Sequence, residues 1–322
     1  MRVLVTGGAG YIGSHVVLEL CDKGYEVVVL DDLSSGNKGA VDKRAKFING
    51  STLNNSDVEL GLEKVEAVIH LAAFKAAGES MVDPIKYSQN NILGSINLLN
   101  AIIKHKINSF VFSSTAAVYG YPEYLPLDEN HPLEPINYYG FTKLEVEKIL
   151  HWYSDLKGLK FAALRYFNAA GYDINGRLNF LEKNPANLIP TTMEVASGMR
   201  NKMHVFGNDY NTYDGTGLRD YIHVSDLAEA HLKALDFLNN NNNIKVNLSS
   251  GERHSVMDVI DMTKKISGKE INYEIVERRP GDPAELYASS DFASEALHWK
   301  PKYSDLKTLI ESTWNEIGRA HV

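Results

Sequence analysis

The sequence predicts an α/β fold: a doubly wound parallel sheet followed by a smaller, mixed C-terminal region. Short apolar runs alternate with helical stretches through the first half of the chain. A glycine-rich turn separates the first apolar run from the first helical stretch, and after about residue 170 the periodicity gives way to loops. Strands that are apolar throughout are typical of a parallel sheet covered by helices on both faces.

The first elements form a strand, a turn and a helix. The apolar run at residues 2–5 stops at glycines, and Ile12, Val16 and Leu20 then recur four residues apart on one helical face. Cys21 lies on this helix, and we expect it to be a buried, unreactive thiol. The next strand is the apolar run at residues 25–30.

Four further strands are predicted at residues 46–49, 67–72, 109–114 and 160–167. Between the middle two, residues 92–105 are expected to form a helix with an apolar stripe of Ile92, Ile96, Leu99 and Ile103. Right-handed crossovers between such strands produce a doubly wound sheet of the Rossmann type. In the C-terminal region the clearest helix is predicted after Ser225, its expected N-cap.

Composition excludes several classes of partner. The chain has 322 residues with a net charge of −8 and a pI of about 5.8, which argues against nonspecific nucleic-acid binding. Its single cysteine excludes an internal disulfide and fits a reducing compartment, so we expect a cytoplasmic protein. No apolar run approaches the ~18 residues of a membrane span, so no membrane contact is expected. We assign no metal ligands.

The glycine-rich turn predicts a dinucleotide site. Gly7, Gly10 and Gly13 follow the first strand, and with Gly8 they satisfy two spacings of the dinucleotide-binding fingerprint. Such a turn requires positive φ, close approach of backbone to a pyrophosphate, and free amides at the helix N-terminus. Asp31 ends the next strand, where a carboxylate binds the ribose 2′-hydroxyl and repels a 2′-phosphate. The pattern predicts NAD rather than NADP; a glycine-rich turn without a ligand is the weaker interpretation.

A tyrosine and a lysine four residues apart can form a proton-abstracting site, because the ammonium favours the phenolate and the two side chains share a helical face. This spacing occurs three times, at Tyr139/Lys143, Tyr153/Lys157 and Tyr303/Lys307.

Context selects the first pair. Ser113, Ser114 and Thr115 lie at the carboxyl end of a predicted strand, which faces the ligand crevice in a parallel sheet. The 24 residues from Thr115 to Tyr139 allow a helix to begin at the same edge. Tyr153 and Tyr303 are expected to have structural or surface roles.

Six segments carry a resemblance: "TGGAGYIG", "HLAAFKAAGES", "FSSTAAVYG", "YYGFTK", "LRYFNAAG" and "GTGLRDYIHV". Together they resemble the extended short-chain dehydrogenase/reductases, and within that family the nucleotide-sugar 4-epimerases, from Val3 to about Trp314. The resemblance implies a tightly bound NAD, a UDP-glucose or UDP-galactose substrate inverted at C4 through a 4-keto intermediate, and a homodimer through the helices of residues 92–105 and 139–157.

The resemblance also implies residue roles. Tyr139 would take the proton of the sugar 4-hydroxyl, Lys143 would hold the nicotinamide ribose and lower the pKa of Tyr139, and Thr115 would hydrogen-bond the 4-oxygen. The implied NAD-binding residues are Gly7, Gly10, Tyr11, Ile12, Gly13, Asp31, Asp32, Ser51, Leu71, Ala72, Ala73, Lys75, Asn90, Tyr139, Lys143 and Phe167. The implied UDP-sugar residues are Thr115, Asn168, Asn187, Phe206, Arg219, Arg279 and Asp282.

The implied substrate contacts are chemically sensible. Two arginines can bind a diphosphate bidentately, and Phe206 offers an apolar face to uracil. For Arg219 beside Asp220, a surface ion pair is the alternative. We expect residues 1–172 to form the NAD-binding domain and residues 173–322 the substrate-binding region, with segments that return to the first domain.

Two positions depart from the family pattern. Ser51 stands where a carboxylate usually reaches the adenine amino group; a hydroxyl can accept that hydrogen bond but carries no charge. Leu286 stands where the family has tyrosine for unacetylated sugars or a small residue for N-acetyl sugars. Its intermediate size favours UDP-glucose and UDP-galactose but leaves UDP-GlcNAc and UDP-GalNAc open.

Three other functions were weighed. A nucleotide-sugar 4,6-dehydratase needs an acid beside the hydroxyl residue, but Ala116 and Ala117 follow Thr115. A dehydrogenase would have to exchange its NAD. A dinucleotide-sensing regulator would bind without catalysis, and such proteins can lose the Tyr–Lys pair that this chain keeps.

Overall fold

The computed structural model describes residues 1–178, 181, 187–279 and 281–320. Its strands are β1 Arg2–Thr6, β2 Glu26–Asp31, β3 Lys46–Asn49, β4 Ala67–His70, β5 Ser109–Ser113, β6 Lys160–Tyr166, β7 Asn168–Ala170, β8 Met203–Phe206, β9 Leu218–Arg219, β10 Tyr221–His223, β11 Ile244–Leu248, β12 His254–Ser255, β13 Tyr273–Val276 and β14 Glu285–Leu286. Its α-helices are α1 Tyr11–Asp22, α2 Asn55–Gly61, α3 Ala77–Ser80, α4 Pro84–Tyr87, α5 Gly94–Lys104, α6 Tyr138–Lys157, α7 Leu188–Ala196, α8 Val224–Asn240, α9 Val256–Ser267, α10 Asp291–Leu297 and α11 Leu306–Ala320.

A seven-stranded sheet with order β11-β6-β5-β4-β1-β2-β3 is the centre of the molecule. Every pairing within it is parallel. This confirms the predicted doubly wound α/β fold. The strand order reverses between β1 and β4, and in open parallel sheets ligands bind outside the carboxyl ends of the strands at such a point.

Both faces of the sheet are buried. Val3 and Val5 belong to one apolar cluster, which contains residues of α1 and α8. Leu4, between them, belongs to a second cluster on the opposite face, which contains residues of α5 and α6. Successive side chains of a strand point to opposite faces, so a strand buried on both sides must be apolar throughout. Cys21 is 8% exposed in the first cluster, as expected.

The chain returns to the central sheet after residue 172. Strand β11 pairs with β6 from Ile244 to Leu248, and residues of α8 line the same core as α1. Helix α8 does not begin at the expected cap. His223 precedes it and accepts the amide hydrogen of Ser225 through Nδ1, because β10 runs directly into the helix.

The apolar stripe expected on residues 92–105 is only partly right. Leu99 is fully buried, but the buried face of α5 is formed by Ser95, Leu98, Leu99 and Ile102. A π-helical turn at Ser88–Leu93 precedes α5. Hydrogen bonds from residue i to i+5 widen the turn, so the phase of a stripe extrapolated from Ile92 shifts.

In the described part of the chain, short strands outside the central sheet form small sheets, and all of these strands except β7 lie in the C-terminal region. The small sheets are β10-β7, β12-β9-β14 and β13-β8. Among the residues described, no helix combines the length and apolar character that a membrane crossing would require.

Candidate active site

The glycine turn lies between β1 and α1, at the sheet's switch point. Gly7 has a φ of +72°, and a Cβ at this position would lie 2.6 Å from the amide nitrogen of Ala72. A Cβ on Gly13 would lie 2.0 Å from the carbonyl oxygen of Gly7. The predicted positive φ and close packing of helix on turn are therefore both present. Gly10 is the N-cap of α1, so no capping side chain covers the first amides of the helix.

The two carboxylates at the end of β2, of Asp31 and Asp32, lie beside this turn. Asp31 accepts the amide hydrogens of Ala9 (3.0 Å) and Leu33 (2.8 Å), and it is 8% exposed. Burial raises the pKa of Asp31, and these two hydrogen bonds oppose that rise. Asp32 accepts the amide hydrogen of Ser34 at 2.9 Å. These contacts hold both side chains at the end of the strand where a ribose is expected.

A small cavity of about 70 Å³ adjoins the turn at this end. It is lined by seven of the predicted NAD-binding residues besides Gly7: Asp31, Asp32, Ser51, Leu71, Ala72, Ala73 and Asn90. Ser51 is held by Asp57, whose carboxylate accepts its amide hydrogen at 3.0 Å. The Ser51 hydroxyl accepts the amide hydrogen of Leu53 at 3.3 Å.

A central cavity of about 420 Å³ contains the predicted catalytic residues. Tyr139, Lys143 and Thr115 line it together. The other predicted residues in its wall are Gly7, Tyr11, Ile12, Gly13, Leu71, Ala73, Lys75, Phe167, Asn168 and Asn187. Of the predicted cofactor residues, Gly10 lies in the turn itself rather than in a cavity wall.

The electrostatics of Tyr139 differ from the expectation. Burial raises the pKa of Tyr139 to about 12, and a hydrogen bond with Thr115 opposes the rise. The pKa is thus not lowered by Lys143 in the protein alone. Burial also lowers the pKa of Lys143 to about 7, while Glu147 raises it. A low-dielectric cavity disfavours both charged forms, so a proton stays on Tyr139 and leaves Lys143 readily.

Lys143 is anchored at the end of β5. Its Nζ donates a hydrogen bond of 2.7 Å to the carbonyl oxygen of Ser113 and lies 4.8 Å from the centroid of the Phe112 ring. Tyr139 is fixed through its backbone, because its amide donates to Ser80 Oγ at 3.0 Å. Sequence reasoning did not identify Ser80, whose role depends on a contact 59 residues away.

An outer cavity of about 480 Å³ contains the residues predicted to bind UDP. The six are Asn168, Asn187, Phe206, Arg219, Arg279 and Asp282. Arg219 forms an ion pair with Asp282 at 2.9 Å. Asp220 points elsewhere and is fully buried against Ser249. This excludes the alternative of a surface ion pair between Arg219 and Asp220.

The face of Phe206 is not vacant. The Arg279 guanidinium lies 3.8 Å from the ring centroid, so a uracil would have to use the opposite face or displace this arginine. Tyr210 also lines the outer cavity and was not predicted. Its hydroxyl is buried without a hydrogen-bond partner among the described residues. Tyr210 follows the predicted residue Phe206 by four positions, and this proximity was the signal available in the sequence.

The three cavities adjoin one another. The first two share Gly7, Leu71 and Ala73. The central and outer cavities share Asn168 and Asn187. A dinucleotide fits this arrangement, because the glycine turn, the helix N-terminus and Asp31 lie in order along one groove. A larger cavity of about 850 Å³ lies between α1 and α8 and contains none of the predicted site residues.

The other two tyrosine–lysine pairs lie outside the groove. Tyr153 donates a hydrogen bond of 2.7 Å to Asn100 on helix α5. The amide of Tyr303 binds Asp226 at 3.0 Å, and Tyr303 lines the larger cavity between α1 and α8.

Comparison with known proteins identifies the family. Residues 3–249 match the model of the "NAD dependent epimerase/dehydratase family". A UDP-glucose 4-epimerase of Halalkalibacterium halodurans is 45% identical over 98% of this chain and 95% of its own length.

Solved structures with the same fold also come from UDP-glucose 4-epimerases. The UDP-glucose 4-epimerase of Brucella ovis in complex with NAD has a TM-score of 0.96 at 42% identity, covering 98% of both chains. The enzyme of Bifidobacterium longum in complex with NAD⁺ and UDP has a TM-score of 0.94 at 37% identity, covering 99% of this chain and 98% of its own. The chain belongs to the NAD dependent epimerase/dehydratase family, and its cofactor is NAD.

Proposed function

We propose that this protein is a UDP-hexose 4-epimerase that interconverts UDP-glucose and UDP-galactose. The observation that carries the proposal is the position of Tyr139, Lys143 and Thr115. They line the cavity that joins the dinucleotide turn to the pocket of Arg219 and Arg279. A sugar bound there would present C4 between the cofactor and the hydroxyl groups. The names of the similar proteins support the same assignment.

In the proposed mechanism, bound NAD supplies a reversible hydride acceptor at the sugar C4. Tyr139 takes the proton of the 4-hydroxyl and later returns it to the same oxygen. Thr115 hydrogen-bonds that oxygen, which holds it within reach of the tyrosine. Lys143, when charged, stabilises the phenolate of Tyr139. The 4-keto sugar then turns in the cavity and presents its opposite face.

The outer cavity would hold the nucleotide. Arg219 and Arg279 are the cations suited to a diphosphate, because a guanidinium binds phosphate oxygens bidentately. Arg219 would exchange its ion pair with Asp282 for the phosphates. Asn168 and Asn187 lie at the junction with the central cavity, where they can contact the sugar.

A second candidate activity is epimerisation of UDP-GlcNAc and UDP-GalNAc. Leu286 supports this activity: its backbone pairs with Arg219, and its partly buried side chain packs against the same apolar cluster as Phe167. Arg219 and Phe167 both line the substrate groove. A leucine there is smaller than a tyrosine, so it leaves room beside the sugar.

A dehydratase is disfavoured by the groups near Thr115. Ala116 and Ala117 follow it in a 3₁₀ turn. Among the described residues of the central cavity wall, the carboxyl group is that of Glu79. It is engaged by Lys86 at 2.8 Å and by the Tyr87 hydroxyl at 2.9 Å, so a free acid for the elimination of water is missing from that wall.

The test is to incubate the purified protein with UDP-galactose, without added NAD, and to quantify UDP-glucose by chromatography. Product formed without added cofactor is expected, and NAD should be recovered from the denatured protein. Recovered NAD without UDP-glucose would reject the proposed reaction. Net reduction of added NAD to NADH, without UDP-glucose formation, would indicate a dehydrogenase.

Two matched variants assign the base. Tyr139→Phe should abolish turnover while the protein still retains NAD, because the phenol oxygen is lost and the ring remains. Tyr153→Phe changes the same residue type at the same spacing outside the groove, and it should keep turnover near the wild-type rate. Wild-type turnover in Tyr139→Phe would refute the assignment. Turnover lost in both would point to a general effect on folding.

We further propose a homodimer that associates through α5 and α6. Exposed apolar side chains support it: Leu93, immediately before α5, is 47% exposed, and Trp152 and Leu156 on α6 are 62% and 68% exposed. Light scattering should give twice the chain mass of 35.9 kDa, and Trp152→Asp combined with Leu156→Asp should shift it to the monomer. A wild-type monomer would refute this proposal.

The division of the chain also remains a proposal. Residues 1–172 would bind NAD together with α8 and β11, and the rest of residues 173–322 would bind the UDP-sugar.

We also propose a cytoplasmic location, supported by the one buried thiol. Cell fractionation with an antibody would test it.

A further inference from the structure

A buried ion pair lies beside the central cavity and has no part in the mechanism above. Glu147 follows Lys143 on α6 by one turn, as Lys143 follows Tyr139, so the three side chains share a face. The Glu147 carboxylate binds Arg165 of β6 through two hydrogen bonds, of 3.0 Å to Nε and 2.6 Å to Nη2. Both side chains are 2% exposed.

The pair is joined directly to the catalytic edge. Ser114 Oγ donates a hydrogen bond of 2.5 Å to the Glu147 carboxylate. Ser114 lies between Ser113, whose carbonyl oxygen accepts from Lys143, and Thr115, which hydrogen-bonds Tyr139. Two hydrogen bonds therefore connect the end of β5 to α6. One joins Lys143 to the Ser113 carbonyl oxygen, and the other joins Ser114 to the Glu147 carboxylate.

Arg165 also has a hydrogen-bond partner on the side away from Glu147. Arg165 Nη1 donates to the Tyr119 hydroxyl at 3.0 Å, and that hydroxyl donates to Asn247 Oδ1 at 2.6 Å. A buried ion pair commonly adds no stability over apolar side chains of equal volume, because desolvation offsets the attraction. A contribution to folding stability therefore does not explain well why this network lies beside the site.

We propose that the Glu147–Arg165 pair is a positioning element of the active site, which ties Ser114 and hence Thr115 to the helix of Tyr139 and places a carboxylate one turn from Lys143. Neither side chain touches the substrate groove. Both act through the residues that do. The inference rests on the proposed function only for its kinetic test.

The charge of Glu147 has a defined consequence for Lys143. Other titratable groups around the lysine are Tyr139 on the same helix, His70 on β4 and Tyr166 on β6. Burial of the lysine disfavours its ammonium form, and the pKa of Lys143 is raised back towards normal by Glu147. Without that carboxylate the lysine loses its proton at a lower pH.

Two variants separate the Ser114–Glu147 hydrogen bond from the charge. Ser114→Ala removes this hydrogen bond and keeps the ion pair. Glu147→Gln combined with Arg165→Met removes both charges together, so no buried ion is left unpaired. Thr263→Val is the control, because the Thr263 hydroxyl is also buried and hydrogen-bonded, to the Val259 carbonyl at 2.7 Å, within α9.

The kinetic readouts are kcat and KM for UDP-galactose across pH. Both test variants should lose about tenfold to hundredfold in kcat, the cost typical of misplaced catalytic groups, with KM within about twofold of wild type. In the double variant the decrease of kcat at high pH (the alkaline limb) should also occur at lower pH, because Lys143 loses its proton sooner. In Ser114→Ala that limb should stay in place, and Thr263→Val should match wild type.

A second readout needs no substrate. NMR of ¹³Cε-labelled lysine, with Lys143 assigned through Lys143→Arg, gives the titration midpoint of Lys143. It should fall in the double variant and stay in Ser114→Ala. If wild type fails to epimerise UDP-galactose, the proposed function fails while this titration still tests the pair. An unchanged midpoint, or activity lost only in proportion to folded protein, would overturn the proposal.

Discussion

At the scale of single residues, burial decides the chemistry of the site more than sequence spacing does. Tyr139 and Lys143 have the predicted spacing and share one cavity. Their pKa values nevertheless move towards the neutral forms, to about 12 and about 7. A catalytic phenolate therefore needs the ammonium form of Lys143 beside it, and burial makes that form available only near or below neutral pH.

Leu286 gives a prediction about sugar choice. Leu286→Tyr should reduce kcat/KM for UDP-GalNAc by about tenfold relative to UDP-galactose, because the larger ring fills space that an N-acetyl group requires. Leu286→Ala should change the ratio in the opposite direction. Initial rates with both sugars give the ratio. Equal effects on both sugars would mean that residue 286 does not select between them.

Asp31 gives a prediction about cofactor choice. The wild-type protein should release NAD and no NADP on denaturation, because the carboxylate repels a 2′-phosphate. Asp31→Ser should lower the NAD content per chain. Liquid chromatography of the released nucleotide measures both. NADP recovered from wild type would contradict the role given to this carboxylate.

At the scale of elements, helix α6 carries Tyr139 in its first turn and Lys143 one turn later. Asn137 is its N-cap and accepts the amide hydrogen of Gly140 at 2.8 Å. Gly158 ends the helix in the left-handed conformation, with a φ of +73°. The Asn137 cap therefore fixes the backbone of the turn that contains Tyr139. A change at this cap should alter both the folding stability and the catalytic rate.

Matched cap variants test this coupling. Asn137→Ala and Asp305→Ala each remove a cap, since Asp305 accepts the amide hydrogen of Thr308 at 3.0 Å before α11. Each should lower the free energy of unfolding by about 1 kcal/mol. Only Asn137→Ala should also lower kcat. Urea unfolding and turnover of UDP-galactose measure the two effects, and equal kcat values in both variants would disprove the coupling.

At the scale of the whole molecule, buried neutral histidines predict acid sensitivity. Burial lowers the pKa of His15 and His231 to about 4. It lowers the pKa of His70 and His223 to about 3. Each histidine binds a proton below pH ~6.5 in the unfolded chain but not in the folded one. Stability is therefore lost as pH falls below about 6.5.

The slope should be about 1.4 kcal/mol per pH unit for each histidine. Asp220 opposes it, because burial raises the pKa of its carboxyl group to about 6 and the folded protein then binds that proton first. Urea midpoints from pH 7 to pH 5 should fall, and His231→Leu should reduce the slope. A midpoint that is constant over this range would contradict the prediction.

The sequence by itself determined the class of fold and the positions of the chemistry-bearing residues. Apolar strands, the glycine turn, Asp31 and the tyrosine–lysine spacing are local patterns. Backbone conformation requires the glycines, burial on both faces requires the apolar strands, and ligand chemistry accounts for the other two. The tyrosine–lysine spacing alone did not identify the catalytic pair, because it occurs three times in the chain. Tyr139 was distinguished from Tyr153 because Thr115 marks the end of a strand.

Tertiary structure decided the contacts that join distant parts of the chain. The phase of α5 depends on the π-helical turn before it, and the partner of Arg219 is Asp282 rather than its neighbour Asp220. The Glu147–Arg165 pair, the shifted pKa values and the addition of β11 to the sheet depend likewise on which surfaces are buried together. Burial and long-range pairing arise only when the whole chain packs, so no local pattern encodes them.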